Sequence, residues 1–259
     1  MIIEAHQLSK VYRRNKWFGA AEEYSVFSGI DFTLAKGESV GLVGRSGAGK
    51  STLGRILLGV EAPTAGNLCL LGTPVATAER FRPPSGDLRR ALQVVFQDPH
   101  AAVNPRLTAG EIIAEPLRNF FDLKGKLLAE RIAELLVMVE LDPADAGKHP
   151  ARFSGGQLQR ISLARALAAR PSCIILDEAL SSLDMLVQAR LLDLLERLRQ
   201  EENLAYIFIS HDLRLVRSFC SRLVVLAEGC LESADLRRST NPELRILQTA
   251  MLLRRPQAR

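Results

Sequence analysis

Gly44-Arg45-Ser46-Gly47-Ala48-Gly49-Lys50-Ser51 is the stretch that decides the fold, because it satisfies G-x-x-x-x-G-K-[ST] at every required position. The stretch follows an apolar run, 39–43, and leads into a helical pattern, 52–58. Glycines let successive backbone N–H groups converge on an anion, and the dipole of the following helix adds a positive end there. We therefore expect a phosphate loop in which Lys50 reaches the β- and γ-phosphates of a nucleoside triphosphate and Ser51 ligates Mg²⁺. The alternative, a glycine-rich turn that opens an ordinary helix, is disfavoured by the complete pattern in this context.

The composition sets bounds on the class of protein. The 259 residues suffice for one large domain or two small ones, and an apolar fraction of 47% is ordinary for a globular core. No apolar run approaches the roughly 18 residues of a membrane helix, and residues 1–4 do not resemble a signal peptide. The cysteines show no C-x-x-C spacing, and Cys173 begins an apolar strand. We therefore expect a buried thiol there rather than a metal site or disulfide, and a reducing cytoplasm.

The net charge of +5 is concentrated at the carboxyl end of the chain. From Leu236 onward there are six arginines and one acidic residue, Glu243, a surplus that equals the whole net charge of +5. The balanced remainder argues against a nucleic-acid groove, which would place Lys and Arg on a folded face among aromatic side chains. The basic tail, 236–259, is expected either to be solvated or to lie near anionic lipid headgroups.

Apolar periodicity predicts an α/β fold with a mainly parallel sheet. β segments are expected at 2–5, 7–12 and 26–34, with a polar insert at 13–24 that holds Trp17, and again at 67–71 and 92–96 with a loop at 80–90 between them. A helical texture follows at 98–152. The expected helices 157–169, 188–200 and 213–218 then each precede an expected strand, at 173–176, 205–209 and 223–226. In such sheets ligands bind beyond the carboxyl ends of the strands.

The strand predicted at 173–176 ends in two adjacent carboxylates, Asp177 and Glu178. Two acids at the end of a buried strand are costly unless they face a cation or water. Beside a phosphate loop, Asp177 would hold the hydration shell of Mg²⁺ and Glu178 would orient and deprotonate an attacking water. The alternative is a solvated turn with an N-cap for the next helix.

A second anion-receptive helix start is expected at Phe153-Ser154-Gly155-Gly156-Gln157. One triphosphate needs one such cradle, so the second would serve another ATP that a partner chain supplies. An ordinary N-cap with flexible glycines remains the alternative at this point.

Taken in order, these residues resemble the ATPase subunits of ABC transporters, over nearly the whole chain. The resemblance rests on the loop 44–51, Gln97, Ser154–Gln157, the run 174–178, Ser182-Leu183-Asp184 and His211. It implies an α/β P-loop NTPase with an N-terminal antiparallel β subdomain and an inserted helical subdomain. The expected organisation is an ATP-binding domain at 2–235, with the helical subdomain at 98–156, followed by the basic tail. Phe153 and Ala179 depart from the usual Leu and Pro of the family but remove no catalytic group.

The family resemblance also implies residue roles. Tyr12 would stack on adenine, and Gln97 would touch Mg²⁺ and the attacking water and couple to a membrane partner. Ser154, Gly156 and Gln157 would contact the γ-phosphate bound by the opposite subunit. Asp184 would cross the dimer interface, and His211 would sense the γ-phosphate. The implied cofactors are ATP and Mg²⁺. The implied partners are a paralogous ATPase subunit, two transmembrane permease subunits and an extracytoplasmic solute-binding protein, with the chain peripheral on the cytoplasmic face of the inner membrane and no nucleic acid involved.

Within the family, residues 96–106 and 113–117 resemble the peptide/nickel importer branch, as does the insert after Tyr12. The segments 177–179, 211–216 and 219–220 are most similar to its nickel-import ATP-binding subunits. Oligopeptide relatives usually carry clustered cysteines near their carboxyl end, whereas no cysteine follows Cys230 here. A peptide or metal-chelate importer is the nearest alternative, and a soluble ABC ATPase, such as one that assembles iron–sulfur clusters, is the alternative of another class.

Overall fold

The computed structural model describes residues 1–14, 22–77, 79–180 and 183–233. The elements, in chain order, are β1 Ile3–Arg14, β2 Glu22–Leu34, β3 Ser39–Val43, α1 Lys50–Leu57, β4 Ala65–Leu70, β5 Thr73–Ala76, α2 Asp87–Ala91, β6 Leu92–Val95, α3 Pro99–Ala102, α4 Ala109–Phe121, α5 Gly125–Met138, α6 Gly155–Ala168, β7 Cys173–Asp177, α7 Met185–Glu202, β8 Ala205–Ile209, α8 Leu213–Phe219, β9 Arg222–Ala227 and β10 Cys230–Ser233. Two short 3-10 helices, Pro143–Gly147 and Pro150–Arg152, join α5 to α6. The described residues form two compact units, one from 1–83 with 208–233 and the other from 84–207.

The first unit begins with an antiparallel sheet in the order β2-β1-β4-β5. Ile3, Ala5 and Leu8 of β1 are buried. The register shifts between Ala5 and Leu8, where Gln7 has a φ of 53°. This bulge lets the even-numbered Leu8 be buried like the odd-numbered Ile3 and Ala5.

The first unit also holds the strand that leads into the phosphate loop. All five residues of β3 are buried, as expected of a strand covered on both faces. β3 pairs in parallel with β9, and β9 pairs antiparallel with β10. Helix α8 packs close to β3, because a Cβ added at Gly41 would lie 2.0 Å from Val216 Cγ1. This packing buries β3, the strand that directly precedes the phosphate loop.

The second unit combines helices with the parallel pair β6 and β7, in which Val95 lies opposite Leu176. Helix α6 is buried along most of its length, including Leu158, Ile161 and Leu163. Arg165 on α6 contacts two neighbouring segments, donating to Ala102 O at 3.2 Å and pairing with Glu115 at 3.0 Å. The helix therefore lies at the centre of this unit and starts at the glycine pair predicted as a second phosphate cradle.

Most of the expected elements are present, with differences at their ends. The polar insert predicted at 13–24 is wrong at both edges, because β1 continues to Arg14 and β2 begins at Glu22; its centre, including Trp17, lies outside the described residues. The predicted loop 80–90 contains the start of α2, and β5 and β10 were not predicted. Pro74 is the reason that β5 could not be predicted, because proline argues against a strand in the middle of a sheet. β5 lies at the edge of its sheet, where proline is tolerated.

The cysteine prediction is confirmed at Cys173, which is fully buried, so that burial raises the pKa of its thiol. Burial likewise raises the pKa of Cys220 to about 12, whereas Cys230 is exposed. Across the described ranges, no helix combines the length and apolar character needed to span a bilayer. The basic tail, 236–259, lies outside those ranges.

Candidate functional site

The phosphate loop packs against neighbouring strands at Gly44 and at Gly49 and is open at Gly47. A Cβ added at Gly44 would lie 2.3 Å from Leu226 O of β9, and one added at Gly49 would lie 2.4 Å from Val26 Cγ1. Both glycines are therefore required by close packing. Gly47 differs, since an added Cβ there would meet nothing within 4 Å, and its φ is 80°. Gly47 thus stands at the open side of a backbone cradle, where an anion can approach.

The cationic end of the loop is Lys50, the first residue of α1. The residue is only 8% exposed, and its Nζ donates to Gly44 O and Arg45 O, each at 2.9 Å. These bonds hold the ammonium group within the loop. Helix α1 has Gly49 as its N-cap, and glycine supplies no side chain to accept from the first-turn N–H groups. The helix start is therefore suited to receive a phosphate oxygen.

Tyr12 belongs to a cluster of charged side chains that the sequence did not predict. Its hydroxyl donates to Glu61 at 2.6 Å, and Lys10 Nζ lies 4.9 Å from the centre of its ring. Lys10 and Arg55 pair with the two oxygens of the Glu61 carboxylate at 2.8 and 2.9 Å. No sequence signal marks this cluster, because its members come from β1, from α1 and from the turn after α1.

His211 is exposed and lies two residues beyond β8, between Ser210 and the N-cap of α8, Asp212. Asp212 donates from its backbone N–H to Ser210 Oγ at 3.0 Å and accepts from the backbone N–H of Arg214 at 2.9 Å. The Arg214 guanidinium also pairs with Asp212 at 3.2 Å. These contacts fix the backbone on both sides of the imidazole.

In the second unit, β6 and β7 bring three predicted residues to the same sheet edge. Val95 and Leu176 lie opposite one another in parallel strands, so Gln97 follows β6 where Asp177 and Glu178 follow β7. Asp177 is the last residue of β7, and Glu178 adopts a φ of 50°, a left-handed conformation that non-glycine residues rarely take. This left-handed turn ends β7 and places the two carboxylates at consecutive positions immediately after a buried strand.

Gln159 is a buried polar residue outside the predicted motifs. It is 1% exposed, and its Nε2 donates to Phe96 O at 2.9 Å. Phe96 directly precedes Gln97, so α6 anchors the backbone that carries the predicted Mg²⁺ and water ligand. A glutamine within an otherwise apolar helical face was the signal that could have identified it.

The second predicted cradle is a capping box. Ser154 Oγ accepts from the Gln157 N–H at 3.3 Å, while Gln157 Oε1 accepts from the Ser154 N–H at 2.9 Å. This contact is the ordinary N-cap that the sequence left open, and it presets the start of α6. A Cβ at Gly155 would meet nothing within 4 Å, and one at Gly156 would lie 3.1 Å from Leu183 Cδ2.

Asp184 caps α7 by accepting from the Val187 N–H at 3.0 Å. The next two residues are unusually exposed for their type, with Met185 at 85% and Leu186 at 61%. Ser182, which precedes them in the predicted motif, lies outside the described residues.

The predicted site residues thus fall into two groups. Tyr12, the loop 44–51 and His211 belong to the first unit, whereas Gln97, the segment 154–157, the carboxylates 177–178 and Asp184 belong to the second. The donor chemistry of Ser51, Gln97 and Asp177 fits Mg²⁺, which prefers hydroxyl, amide and carboxylate oxygens and keeps several waters. Within the described ranges, no group of three or more His, Cys, Asp or Glu residues has a metal-binding arrangement.

Comparison with protein families gives a match to a model described as "ABC transporter" over residues 27–181. A curated relative, the nickel import ATP-binding protein NikE of Brucella suis, is 45% identical over 255 residues, covering 97% of this chain and 95% of the relative. NikE of Rhodospirillum rubrum is also 45% identical, over 261 residues that cover 99% of this chain and 94% of the relative.

Solved structures give the same assignment for the fold. The ATP-binding cassette MJ0796, in a dimeric post-hydrolysis state bound to ADP and Pi, superposes with a TM-score of 0.80 at 28% identity. The match covers 92% of this chain and 100% of the cassette. A second dimeric structure of the same cassette gives a TM-score of 0.78 at 29% identity, covering 89% of this chain and 96% of that chain.

Proposed function

The chain belongs to the ABC transporter family, as an ATP-hydrolysing subunit, and from this premise we propose that it powers the import of nickel ions. The observation that carries the choice of solute is the 45% identity, over nearly the full length of both chains, to nickel import ATP-binding proteins. The hydrolytic role is supported by a phosphate loop with its lysine in place and by two carboxylates at a strand end. The segment 98–156 would be a helical subdomain within a domain that spans 2–235, followed by the basic tail 236–259.

In this proposal ATP is the substrate, and its phosphates bind the loop 44–51. The Lys50 ammonium exchanges its bonds to Gly44 O and Arg45 O for oxygens of the β- and γ-phosphates, which carry more negative charge than peptide carbonyls. The backbone N–H groups around Gly47 and the start of α1 complete the cradle. Tyr12 stacks on the adenine.

Mg²⁺, held by Ser51 with Gln97 and the hydration shell at Asp177, would neutralise charge that develops on the phosphates. Glu178 accepts a proton from the attacking water, whose oxygen bonds to the γ-phosphorus while the bond to the β-γ bridging oxygen breaks. His211 senses the γ-phosphate. Asp177 ends β7 in extended backbone and Glu178 follows in left-handed backbone, which supports the assignment of separate tasks to the two acids.

The active form would be a pair of ATPase subunits that sandwiches two ATP molecules. Each ATP is bound by the phosphate loop of one subunit and by the segment equivalent to 154–157 of the other, with Asp184 crossing the interface. The dimeric state of the structural relatives supports this arrangement. The partner would be a paralogous ATPase, as the family resemblance implies.

Two permease subunits would dock near residues 97–117, and an extracytoplasmic binding protein would deliver the solute. The chain would then sit on the cytoplasmic face of the inner membrane. ATP drives closure because it binds the closed pair more tightly than the open pair, and hydrolysis removes that difference. Gln97 follows β6 and is also the first residue of the proposed docking segment, so we propose that it couples the two events.

Uptake measurements test the proposal. Cells that lack the gene should lose high-affinity uptake of radioactive nickel, and the wild-type gene should restore it whereas a Glu178→Gln allele should not. Uptake of labelled dipeptides, measured in the same strains, is the matched control. Loss of dipeptide uptake with normal nickel uptake would show that the imported solute is a peptide rather than nickel. Normal uptake of both would contradict an import role.

A further inference from the structure

The cluster around Tyr12 is built from three separate parts of the first unit. Lys10 and Tyr12 lie two residues apart on β1, Arg55 lies near the end of α1, and Glu61 lies in the turn that follows. Tyr12 is 40% exposed, whereas the side chains of Lys10 and Glu61 are 13% and 21% exposed. A half-exposed aromatic ring therefore lies beside a largely covered ion pair, Lys10 with Glu61, while the Arg55 side chain is 41% exposed.

Glu61 is the centre of this cluster, because it contacts every other member. One carboxylate oxygen accepts from the Tyr12 hydroxyl at 2.6 Å and pairs with Lys10 at 2.8 Å, and the other accepts from Arg55 at 2.9 Å. Removing its negative charge would leave Lys10 and Arg55 as neighbouring cations beside the tyrosine. Burial would raise the pKa of Glu61, but hydrogen bonds from Lys10, Tyr12 and Arg55 outweigh it and lower the pKa to about 2. The carboxylate is thus ionised at any physiological pH.

The backbone around Glu61 is also held. Its N–H donates to Arg55 O at 3.3 Å, and Lys10 Nζ donates to Ala62 O at 2.8 Å. Three residues further on, Thr64 Oγ1 accepts from the Val11 N–H at 2.9 Å. The turn after α1 is therefore fastened along β1 next to Tyr12, so the position of the carboxylate is set by the backbone as well as by its ion pairs.

The Lys10 ammonium lies 4.9 Å from the centre of the Tyr12 ring, a cation–π distance. The ring is thereby restrained at its hydroxyl by Glu61 and over its face by Lys10. A base can stack on a ring only from a face, and a ring that is fixed beforehand loses less entropy when the base arrives.

We propose that Glu61 is a positioning residue for nucleobase binding, which fixes the Tyr12 ring for stacking and ties it to the phosphate-loop helix through Arg55. The inference rests on the proposed function, in which Tyr12 stacks on adenine. Glu61 does not touch the nucleotide itself, and it acts through the tyrosine.

The test compares two probes that differ by a nucleoside. The full chain is titrated, in the presence of Mg²⁺, with a hydrolysis-resistant imido analogue of ATP and separately with inorganic tripolyphosphate, which lacks base and ribose. Tyr12→Ala should weaken binding of the ATP analogue by roughly 5- to 150-fold, the range that one base–aromatic stack supplies. Glu61→Gln should weaken it by about 3- to 10-fold, the effect of one ordinary hydrogen bond, because the ring stays and only the charge that holds it is removed. Neither change should alter the affinity for tripolyphosphate.

Tyr12→Phe tests the hydrogen bond separately from the stack, because it keeps the aromatic ring but removes the hydroxyl that donates to Glu61. In the Tyr12→Phe background the effect of Glu61→Gln should shrink, because both changes act on the same hydrogen bond: the first removes its donor and the second removes the negative charge of its acceptor. Glu23→Gln is the matched control: Glu23 forms an exposed ion pair with Arg13 at 2.8 Å on the same sheet, and its loss should leave both affinities unchanged.

The outcomes separate the inference from its premise. If Tyr12→Ala lowers affinity for the ATP analogue alone but Glu61→Gln does not, the positioning role of Glu61 is refuted and the stacking role of Tyr12 stands. If Tyr12→Ala leaves the affinity for the ATP analogue unchanged, the stacking role assigned to Tyr12 is itself wrong. A loss of tripolyphosphate affinity in Glu61→Gln would assign the residue to support of the phosphate loop instead, and would overturn the proposal.

Discussion

Glu178 holds a left-handed backbone, with a φ of 50°, immediately after the last residue of a buried strand. Such a conformation costs about 1–2 kcal/mol for a residue with a Cβ. The surrounding structure must therefore maintain it, as is common where a side chain has to be directed at a reacting group. The left-handed backbone of Glu178 therefore supports the proposed role of its carboxylate in activating water.

We predict that Glu178→Gln lowers ATP hydrolysis at least about 100-fold, the contribution of a general base, and leaves ATP binding intact. Lys50→Ala is the contrasting change, because it removes the ammonium held within the loop and should weaken binding itself. Phosphate release and titration with a fluorescent nucleotide measure the two effects. Undiminished hydrolysis by Glu178→Gln would remove this residue from the mechanism.

The Glu61 cluster gives the stability a defined dependence on pH. The pKa of Glu61 is lowered from 4.5 to about 2 on folding, so its stabilising effect is complete above about pH 5 and is lost as the pH falls from 4.5 towards 2. Because the cluster is partly solvated, we expect Glu61→Gln to cost about 1–2 kcal/mol at pH 7. Urea unfolding of both proteins should show the same difference at pH 7 and pH 5 and a smaller one at pH 3.5. A difference that stays constant with pH would show that the ionised carboxylate is not its source.

At the scale of single elements, the two glycines of the phosphate loop have separable roles. Gly49→Ala would place a Cβ 2.4 Å from Val26 Cγ1 at a φ of 97°, so we expect destabilisation of about 2–4 kcal/mol. Gly47→Ala meets no atom within 4 Å and should cost only about 1 kcal/mol, from its positive φ. Gly47→Ala should nevertheless weaken ATP binding, since its Cβ would occupy the open side of the cradle. Thermal unfolding together with nucleotide titration distinguishes the two, and equal stability losses would contradict the assignment.

Two helices of the second unit begin with the same capping box, which allows a matched comparison. Ser154 caps α6 and Thr108 caps α4, each with a reciprocal bond from the third residue of its helix. Replacing either by alanine should cost about 1 kcal/mol of stability. Only Ser154→Ala should also lower ATP hydrolysis by the purified pair of ATPase subunits, because the Ser154 hydroxyl is proposed to contact the γ-phosphate of the partner. Equal hydrolysis by both variants would reduce Ser154 to an ordinary cap.

At the scale of the whole molecule, the start of α7 is expected to be an association surface. Met185 and Leu186 expose apolar side chains directly after Asp184, which the proposal places at the subunit interface. Met185→Asp should therefore weaken the ATP-induced association of a Glu178→Gln pair by about tenfold or more, while single subunits keep their affinity for ATP. Sedimentation velocity with and without Mg-ATP measures the effect. Unchanged association would place the interface elsewhere.

The sequence by itself determined the fold class, the phosphate loop, the carboxylate pair and the order of the later strands and helices. These features are local: a glycine pattern, an apolar run or a period of 3.6 residues records the conformation of its own segment. The ends of elements were less well predicted, because β5 and β10 are edge strands and because pairing with a neighbouring strand, rather than apolar alternation, extends β1 and β2.

Only the tertiary structure decided which residues support the predicted ones. Glu61 lies 49 residues from Tyr12, and Gln159 lies 63 residues from Phe96, so no local pattern relates either pair. Hydrogen bonds and ion pairs depend on atoms coming within about 3 Å of one another, and chain folding alone sets those distances. The motifs therefore identify the groups proposed to act on the nucleotide, whereas the contacts that hold those groups in place emerge only from the folded chain.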